Sequence, residues 1–167
     1  MTTYTARPIE PGALKELRDV DDAGRACVPF VEGEGGSPLR CCLRRSETGE
    51  RVALVSYAPL RRWAAGVGVD PGAYDEQGPV FVHAGECGGP VGGGGERYPF
   101  ARAGVLRVVR RYSREGRILG GRFLDLPSMP DESLDAAFSE AFADPGVALV
   151  HVRAVEYGCF LYEVRRP

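Results

Sequence analysis

Short apolar runs bounded by turn residues recur along this chain, and they restrict its fold more than any other feature. Two pairs of runs have hairpin spacing: Gly104 to Tyr112 with Arg117 to Leu124, and Val147 to Ala154 with Cys159 to Val164. Such pairs, separated by turns that contain glycine, are typical of antiparallel strands. The sequence therefore predicts a largely antiparallel β-sheet and a closing hairpin.

Three further runs in the first half of the chain have strand character. They are Leu39 to Leu43, Arg51 to Tyr57 and Pro79 to His83, the first two joined by a turn at residues 47–49. Residues 52–55 are apolar at every position, which favours a central strand covered on both faces. These runs extend the predicted sheet.

The strongest helix signal lies over residues 131–143. Its apolar residues share one face at helical spacing, and they are Leu134, Phe138, Ala141 and Phe142. Asp131 is the predicted N-cap. A shorter helix is predicted over Ala13 to Val20, and residues 60–77 show no regular pattern. The sum is an α+β fold in a single domain over residues 1–167.

Composition narrows the classes of partner. A net charge of −2 gives no general attraction to nucleic acid or to anionic membranes. Apolar runs fall well short of the roughly 20 residues that span a bilayer, and the N-terminal sequence lacks a signal-peptide pattern. We therefore expect a cytoplasmic protein without nucleic-acid or membrane partners. Lys15 is the single lysine, and this arginine- and glycine-rich composition is typical of a GC-rich bacterial genome.

The five cysteines do not read as a disulfide framework. Their number is odd, and a cytoplasmic location favours reduced thiols. The sequence contains no Cys-x-x-Cys pair. If Cys41 and Cys42 lie on a strand, their side chains point to opposite faces, so the usual spacing for a shared zinc ion is missing.

Both histidines are followed by a cysteine at the end of a strand-like run. His83 and Cys87 would lie about 13 Å apart on an extended strand, so they converge only if the chain turns at Gly85. The glycine-rich segment Gly85 to Gly95 is predicted to be a flexible loop, because it lacks the ending of a phosphate-binding loop.

The second pair, His151 and Cys159, belongs to the closing hairpin. An even-length loop places His151 and Arg153 on one face with Phe160 and Tyr162, and it places Cys159 in the core. An odd-length loop brings Cys159 to the face of His151 instead. Two-residue hairpin loops are common, which favours the first arrangement.

Several motifs in this order resemble a bacterial family, the one known as domain of unknown function 1203. They are Pro38-Leu39-Arg40-Cys41-Cys42-Leu43, Gly49-Glu50, Leu54-Val55-Ser56-Tyr57, Gly78-Pro79-Val80-Phe81-Val82-His83, Phe142-Ala143-Asp144-Pro145, Val150-His151-Val152-Arg153 and Gly158-Cys159-Phe160. The resemblance implies no particular activity. Its matching positions include Arg40, His83 and Cys159. The family pattern has cysteine after the proline, where this chain has Leu39, so Cys41 and Cys42 are the nearby thiols.

The leading functional hypothesis is a cytoplasmic enzyme acting on a small polar or anionic metabolite. Its predicted catalytic residues are His83, Cys87 and His151, and its predicted substrate-binding residues are Arg40, Arg153 and Tyr162. Imidazole suits proton transfer near neutral pH, a thiol beside a loop suits nucleophilic chemistry, and guanidinium suits anionic groups. A role in specialised bacterial metabolism is compatible with the composition.

Two alternatives belong to other classes. One is a non-catalytic protein that binds a ligand or a partner, in which the cysteines and histidines are structural. The other is a metal site built from His83, Cys87 and His151. The sequence leaves the cofactor, the metal, the substrate and the oligomeric state open.

Overall fold

The computed structural model describes residues 3–91 and 97–167. In chain order its helices and strands are α1 (Pro11–Leu17), β1 (Phe30–Val31), β2 (Arg51–Tyr57), α2 (Pro59–Val67), β3 (Gly78–His83), β4 (Leu106–Ser113), β5 (Ile118–Asp125), α3 (Pro130–Ala143), β6 (Val147–Ala154) and β7 (Phe160–Arg165). Among the described residues, no helix is long and apolar enough to cross a membrane.

The strands form two antiparallel sheets, which confirms the predicted α+β class. The first sheet has the order β1-β2-β3 and the second has the order β5-β4-β6-β7. The predicted strands over residues 51–57 and 79–83 pair with each other, since Val52 lies opposite His83 and Tyr57 lies opposite Gly78. β2 is the central strand as predicted, although Leu54 is half exposed.

The larger core lies between α3 and one face of the second sheet. The predicted apolar stripe of α3 is buried there, with Phe138 fully enclosed against Tyr4 and Tyr98. Val150 and Val152 of β6 belong to the same core. The helix is therefore held by burial of its apolar face.

Replacing Phe138 with alanine should destabilise the protein by about 3–5 kcal/mol, because a fully buried aromatic ring leaves a cavity that the sheet cannot fill. Phe123 on β5 is 59 % exposed and provides the matched control. Phe123→Ala should change stability by less than about 0.5 kcal/mol. Urea unfolding measures both, and equal effects of the two variants would contradict this description of the core.

The smaller core joins α1, the first sheet and a loop over residues 38–45. Leu17 of α1, Leu39 of the loop and Val52 of β2 are fully buried in it. The predicted strand over Leu39 to Leu43 is wrong, since residues 40–42 form a turn. A hydrogen bond from the Leu43 N–H to the Leu39 carbonyl, 2.9 Å, closes that turn.

Two helix details also differ from the sequence prediction. The stretch after Leu60 begins as a helix, α2, with Pro59 in its first turn and Gly68 in the left-handed conformation at its end. The N-cap of α3 is Met129 and not Asp131. The Asp131 carboxylate instead accepts hydrogen bonds from the backbone N–H groups of Arg97 and Tyr98, which ties this segment to the helix.

The closing hairpin begins in the predicted register and then shifts. Arg153 lies opposite Phe160, as an even-length loop requires, but Val152 lies opposite Tyr162 and His151 lies opposite Glu163. A β-bulge with Leu161 as the extra residue causes the shift. The prediction that Tyr162 shares a face with His151 is therefore wrong.

Candidate metal centre

The loop over residues 38–45 brings two adjacent thiols to the same side of the chain. Its ends pair as an isolated bridge between Pro38 and Arg45, and its last turn residue, Leu43, has a positive φ of 57°. Side chains alternate between faces only along extended backbone. In this turn the Cys41 and Cys42 sulfurs lie 3.9 Å apart.

This loop is attached to the end of β3, where His83 lies. The backbone N–H of Arg40 donates to the Phe81 carbonyl at 2.9 Å, and Leu39 pairs with Phe81 in a parallel bridge. One step further, the backbone N–H of His83 donates to the Cys41 sulfur at 3.2 Å. The two backbones therefore fix the position of the thiols relative to the imidazole.

The imidazole faces both thiols through one nitrogen. His83 Nδ1 lies 3.3 Å from the Cys41 sulfur and 3.7 Å from the Cys42 sulfur. Cys41 and Cys42 are buried, and the His83 side chain is 12 % exposed. Imidazole and thiol groups thus form a compact set at the end of β3.

Cys87 joins the set because the chain bends after β3. Ala84 and Gly85 form this bend, at the place where the sequence predicted that a turn was needed. The ligand atoms of Cys41, Cys42, His83 and Cys87 all lie within 4.8 Å of one another. A cleft of about 1070 Å³ borders Cys42, His83 and Cys87 and continues toward Val91. Residues 92–96 of the predicted flexible loop lie outside the described residues.

The far nitrogen of His83 has charged partners. Nε2 lies 3.2 Å from the Glu50 carboxylate and 3.2 Å from the Arg44 guanidinium, and Arg44 is itself paired with Glu50. The Arg44 ion pair and hydrogen bond hold the pKa of Glu50 at about 2. Glu50 is therefore an anionic acceptor for an Nε2 proton, which leaves Nδ1 free to face the thiols.

The two adjacent thiols are electrostatically unequal. Cys41 donates to the sulfur of Cys42, which lowers the pKa of Cys42, assisted by the Arg44 backbone N–H. The same hydrogen bond, together with burial, raises the pKa of Cys41. Of the two hydrogen-bonded thiols, Cys42 is therefore the more acidic.

The interatomic distances match the edges of a metal tetrahedron. Zinc binds cysteine sulfur at about 2.3 Å and histidine nitrogen at about 2.0 Å, so tetrahedral edges are about 3.8 Å between sulfurs and about 3.5 Å between sulfur and nitrogen. The Cys41–Cys42 edge is 3.9 Å, and the edges to His83 Nδ1 are 3.3 Å and 3.7 Å. These three distances are therefore close to three edges of a zinc-centred tetrahedron.

His151 does not join this set. It is fully buried on the second sheet, where its ring packs between Tyr112 and Phe160 and its Nε2 lies 3.0 Å from the Glu163 carboxylate. Burial lowers the pKa of His151 despite the nearby carboxylate. A neutral imidazole that donates from Nε2 to Glu163 fits these contacts.

Protein stability should fall as the pH drops below 6.5, because an unfolded chain protonates His151 and the folded chain keeps it neutral. The free energy of unfolding should decrease by up to about 1.4 kcal/mol per pH unit from this group. Urea unfolding between pH 7 and pH 5 measures how the free energy of unfolding changes with pH in the wild-type protein and in His151→Gln. An identical slope in the two proteins would contradict this assignment.

The predicted substrate-binding residues occupy two different places. Arg40 and Arg153 border a second cavity, between the two sheets, together with Cys159. Tyr162 is buried in the core beneath α3. Cys159 is half-buried at the cavity wall, so its predicted place in the core is wrong. The sequence missed Cys41 and Cys42 as partners of His83, although both lie in the Pro38–Leu43 stretch that resembles the family.

Fold and site together define an α+β domain with a Cys₃His cluster at the edge of its smaller sheet. Residues 36–166 match the model of the family described as Protein of unknown function (DUF1203), and the chain belongs to that family. The matched region contains all four residues of the cluster. No curated protein and no solved structure matches the chain.

Proposed function

We propose that this protein binds one zinc ion through Cys41, Cys42, His83 and Cys87. The observation that carries the proposal is the approach of four ligand atoms within 4.8 Å, with the three edges among Cys41, Cys42 and His83 near tetrahedral lengths. Three sulfurs and one imidazole are a donor set that favours zinc among the common divalent ions. In this proposal His83 and Cys87 bind the zinc ion and do not have the acid–base and nucleophilic roles that the sequence predicted.

The hydrogen bonds around His83 support ligation through Nδ1. A metal-bound histidine usually donates its other N–H to a carboxylate, which orients the ring and strengthens the ligand. Glu50 occupies that position, 3.2 Å from Nε2, and Arg44 neutralises its charge. Without metal, the same nitrogen has Arg44 as a donor at 3.2 Å, so either tautomer has a partner.

The zinc ion would act as a structural cross-link. Four protein ligands close the coordination sphere, whereas catalytic zinc sites keep one position for water or substrate. The ligands come from two segments that are separate along the chain: the 38–45 loop, and the end of β3 together with the bend that follows it. Zinc would join these segments at the edge of the first sheet, in a chain where no disulfide links the five cysteines.

Cysteine protection provides the test. The full chain, stripped of metal under reducing conditions, is titrated with zinc and treated with iodoacetamide, and each cysteine is followed by mass spectrometry. One equivalent of zinc should slow alkylation of Cys41, Cys42 and Cys87, while Cys27 and Cys159 react at unchanged rates as internal controls. Alkylation rates that zinc leaves unchanged at all five cysteines would overturn the proposal.

A further inference from the structure

A cavity of about 880 Å³ lies between the two sheets, and Pro38, Arg40 and Arg45 of the 38–45 loop form part of its wall. Much of its wall is apolar, contributed by Leu54, Tyr57, Phe81, Phe100 and Phe160. Its volume lies in the range of pockets that enclose small organic molecules. The cavity therefore has room and apolar surface for a ligand larger than a simple ion.

Positive charge distinguishes this cavity from the rest of the protein. Among the described residues, the cavity is lined by five arginines and two glutamates, although the whole chain has a net charge of −2. The arginines come from the second sheet and from connecting loops, and they are Arg40, Arg45, Arg102, Arg107 and Arg153. Such convergence in a partly desolvated pocket attracts an anion.

The buried arginines are held mainly by backbone carbonyls. Arg40 Nε donates to the Phe160 carbonyl at 2.8 Å, and Arg107 donates to the Phe100 carbonyl at 2.7 Å. Carbonyl groups fix a guanidinium without neutralising it. Arg40 has no carboxylate partner among the described residues, and the nearest one to Arg107, Glu156, is 4.0 Å away and exposed.

Arg153 adds a donor that the protein leaves unused. Its side chain is 12 % exposed, its NH1 donates to the Gly158 carbonyl and its NH2 lies 3.3 Å from the Glu76 carboxylate. Its Nε is buried without a hydrogen-bond partner among the described residues. A buried donor without a partner costs free energy, so the contacts within the protein do not fully satisfy the Arg153 guanidinium.

We propose that this cavity binds a small organic anion, with a phosphate or carboxylate group held by Arg107 and Arg153 and an apolar body against the aromatic wall. Planar guanidinium groups match both head groups by paired hydrogen bonds. The inference is independent of the zinc site, since none of the four ligands lines the cavity. The substrate-binding residues Arg40 and Arg153, predicted from the sequence, would thus both belong to a site between the sheets.

Three naphthalene probes test the proposal with the zinc-loaded full chain: 1-naphthyl phosphate, 1-naphthoate and 1-naphthol, followed by fluorescence and calorimetry. At least one of the two anions should bind with one-to-one stoichiometry and at least about tenfold more tightly than the uncharged naphthol. The anion that binds more tightly identifies the head group. Equal binding of naphthol and both anions, or binding of none at millimolar concentration, would overturn the proposal.

Matched charge variants locate the binding site. Arg153→Gln should weaken binding of the preferred anion by about 10- to 100-fold, since a hydrogen bond to a charged group is lost. Arg122→Gln removes the same charge from an exposed residue of β5 that lies outside the cavity, and it should leave binding unchanged. Arg45→Gln, at an exposed part of the wall, gives a second test if Arg153→Gln lowers the melting temperature. Equal effects of Arg153→Gln and Arg122→Gln would place the anion elsewhere.

Discussion

Replacing Cys42 with serine should weaken zinc binding by more than about 100-fold. A serine hydroxyl is a poor zinc ligand at neutral pH, and only three protein donors remain. Cys42 is 6 % exposed and lies next to the imidazole, so no other described thiol can take its place without moving the loop. His83→Ala should have an effect of similar size, because it removes the only nitrogen donor. Competition with a chromophoric chelator measures both affinities.

Cys159 and the carboxylate of Glu50 beside His83 provide a graded series of controls. Cys159→Ser changes a thiol at the other cavity and should leave zinc affinity unchanged. Glu50→Gln keeps all four ligands but removes the carboxylate beside His83 Nε2, and it should weaken binding by about 10- to 100-fold. Full affinity in Cys42→Ser, or equal loss in Cys159→Ser and Cys42→Ser, would contradict the assigned ligand set.

Removing zinc should destabilise the folded protein by about 4 kcal/mol, measured against free zinc at a thousand times its dissociation constant. For a domain of this size the melting temperature should then fall on the order of 10 °C. The physical reason is that zinc would bind the folded arrangement of the 38–45 loop and residues 83–87, which the unfolded chain does not hold together. Thermal unfolding with and without a zinc chelator measures the change.

The expected loss of stability is specific to the ligands. A chelator should lower the melting temperature of His83→Ala much less than that of the wild-type protein, because zinc bound more than about 100-fold more weakly contributes less stability. Magnesium should not restore the melting temperature of the chelator-treated wild-type protein, because magnesium prefers oxygen ligands to sulfur. Hydrogen exchange should increase first in residues 38–45. A chelator effect of the same size in His83→Ala would contradict a role for zinc in folding.

Much of the fold could be predicted from local patterns. β2, β3 and α3 were predicted within a few residues because their apolar periodicity reflects burial on one or both faces. α2 was missed although Leu60, Trp63, Ala64 and Val67 have helical spacing and Pro59 marks its first turn. The helical signal was present, but it consists of only these few apolar residues, next to a segment without a regular pattern.

The site depended on contacts that local patterns do not carry. Cys41 and Cys42 were placed on opposite faces because their run resembles a strand, whereas a turn closed by Leu43 places both sulfurs beside His83. The pairing that positions this turn is Leu39 with Phe81, which are far apart in the sequence. The bend at Gly85 was recognised as a condition for bringing Cys87 close. The face of Tyr162 was predicted wrongly because the bulge at Leu161 depends on pairing across the sheet.

The central claim is a zinc ion with three sulfur ligands and one nitrogen ligand. Its most direct measurement is elemental analysis, followed by zinc K-edge X-ray absorption, of the untagged full chain purified without chelators. The expected result is one zinc ion per chain, with three sulfurs at about 2.3 Å and one nitrogen at about 2.0 Å. Protein that neither contains zinc nor takes it up on titration, or zinc bound only by oxygen and nitrogen, would contradict the account.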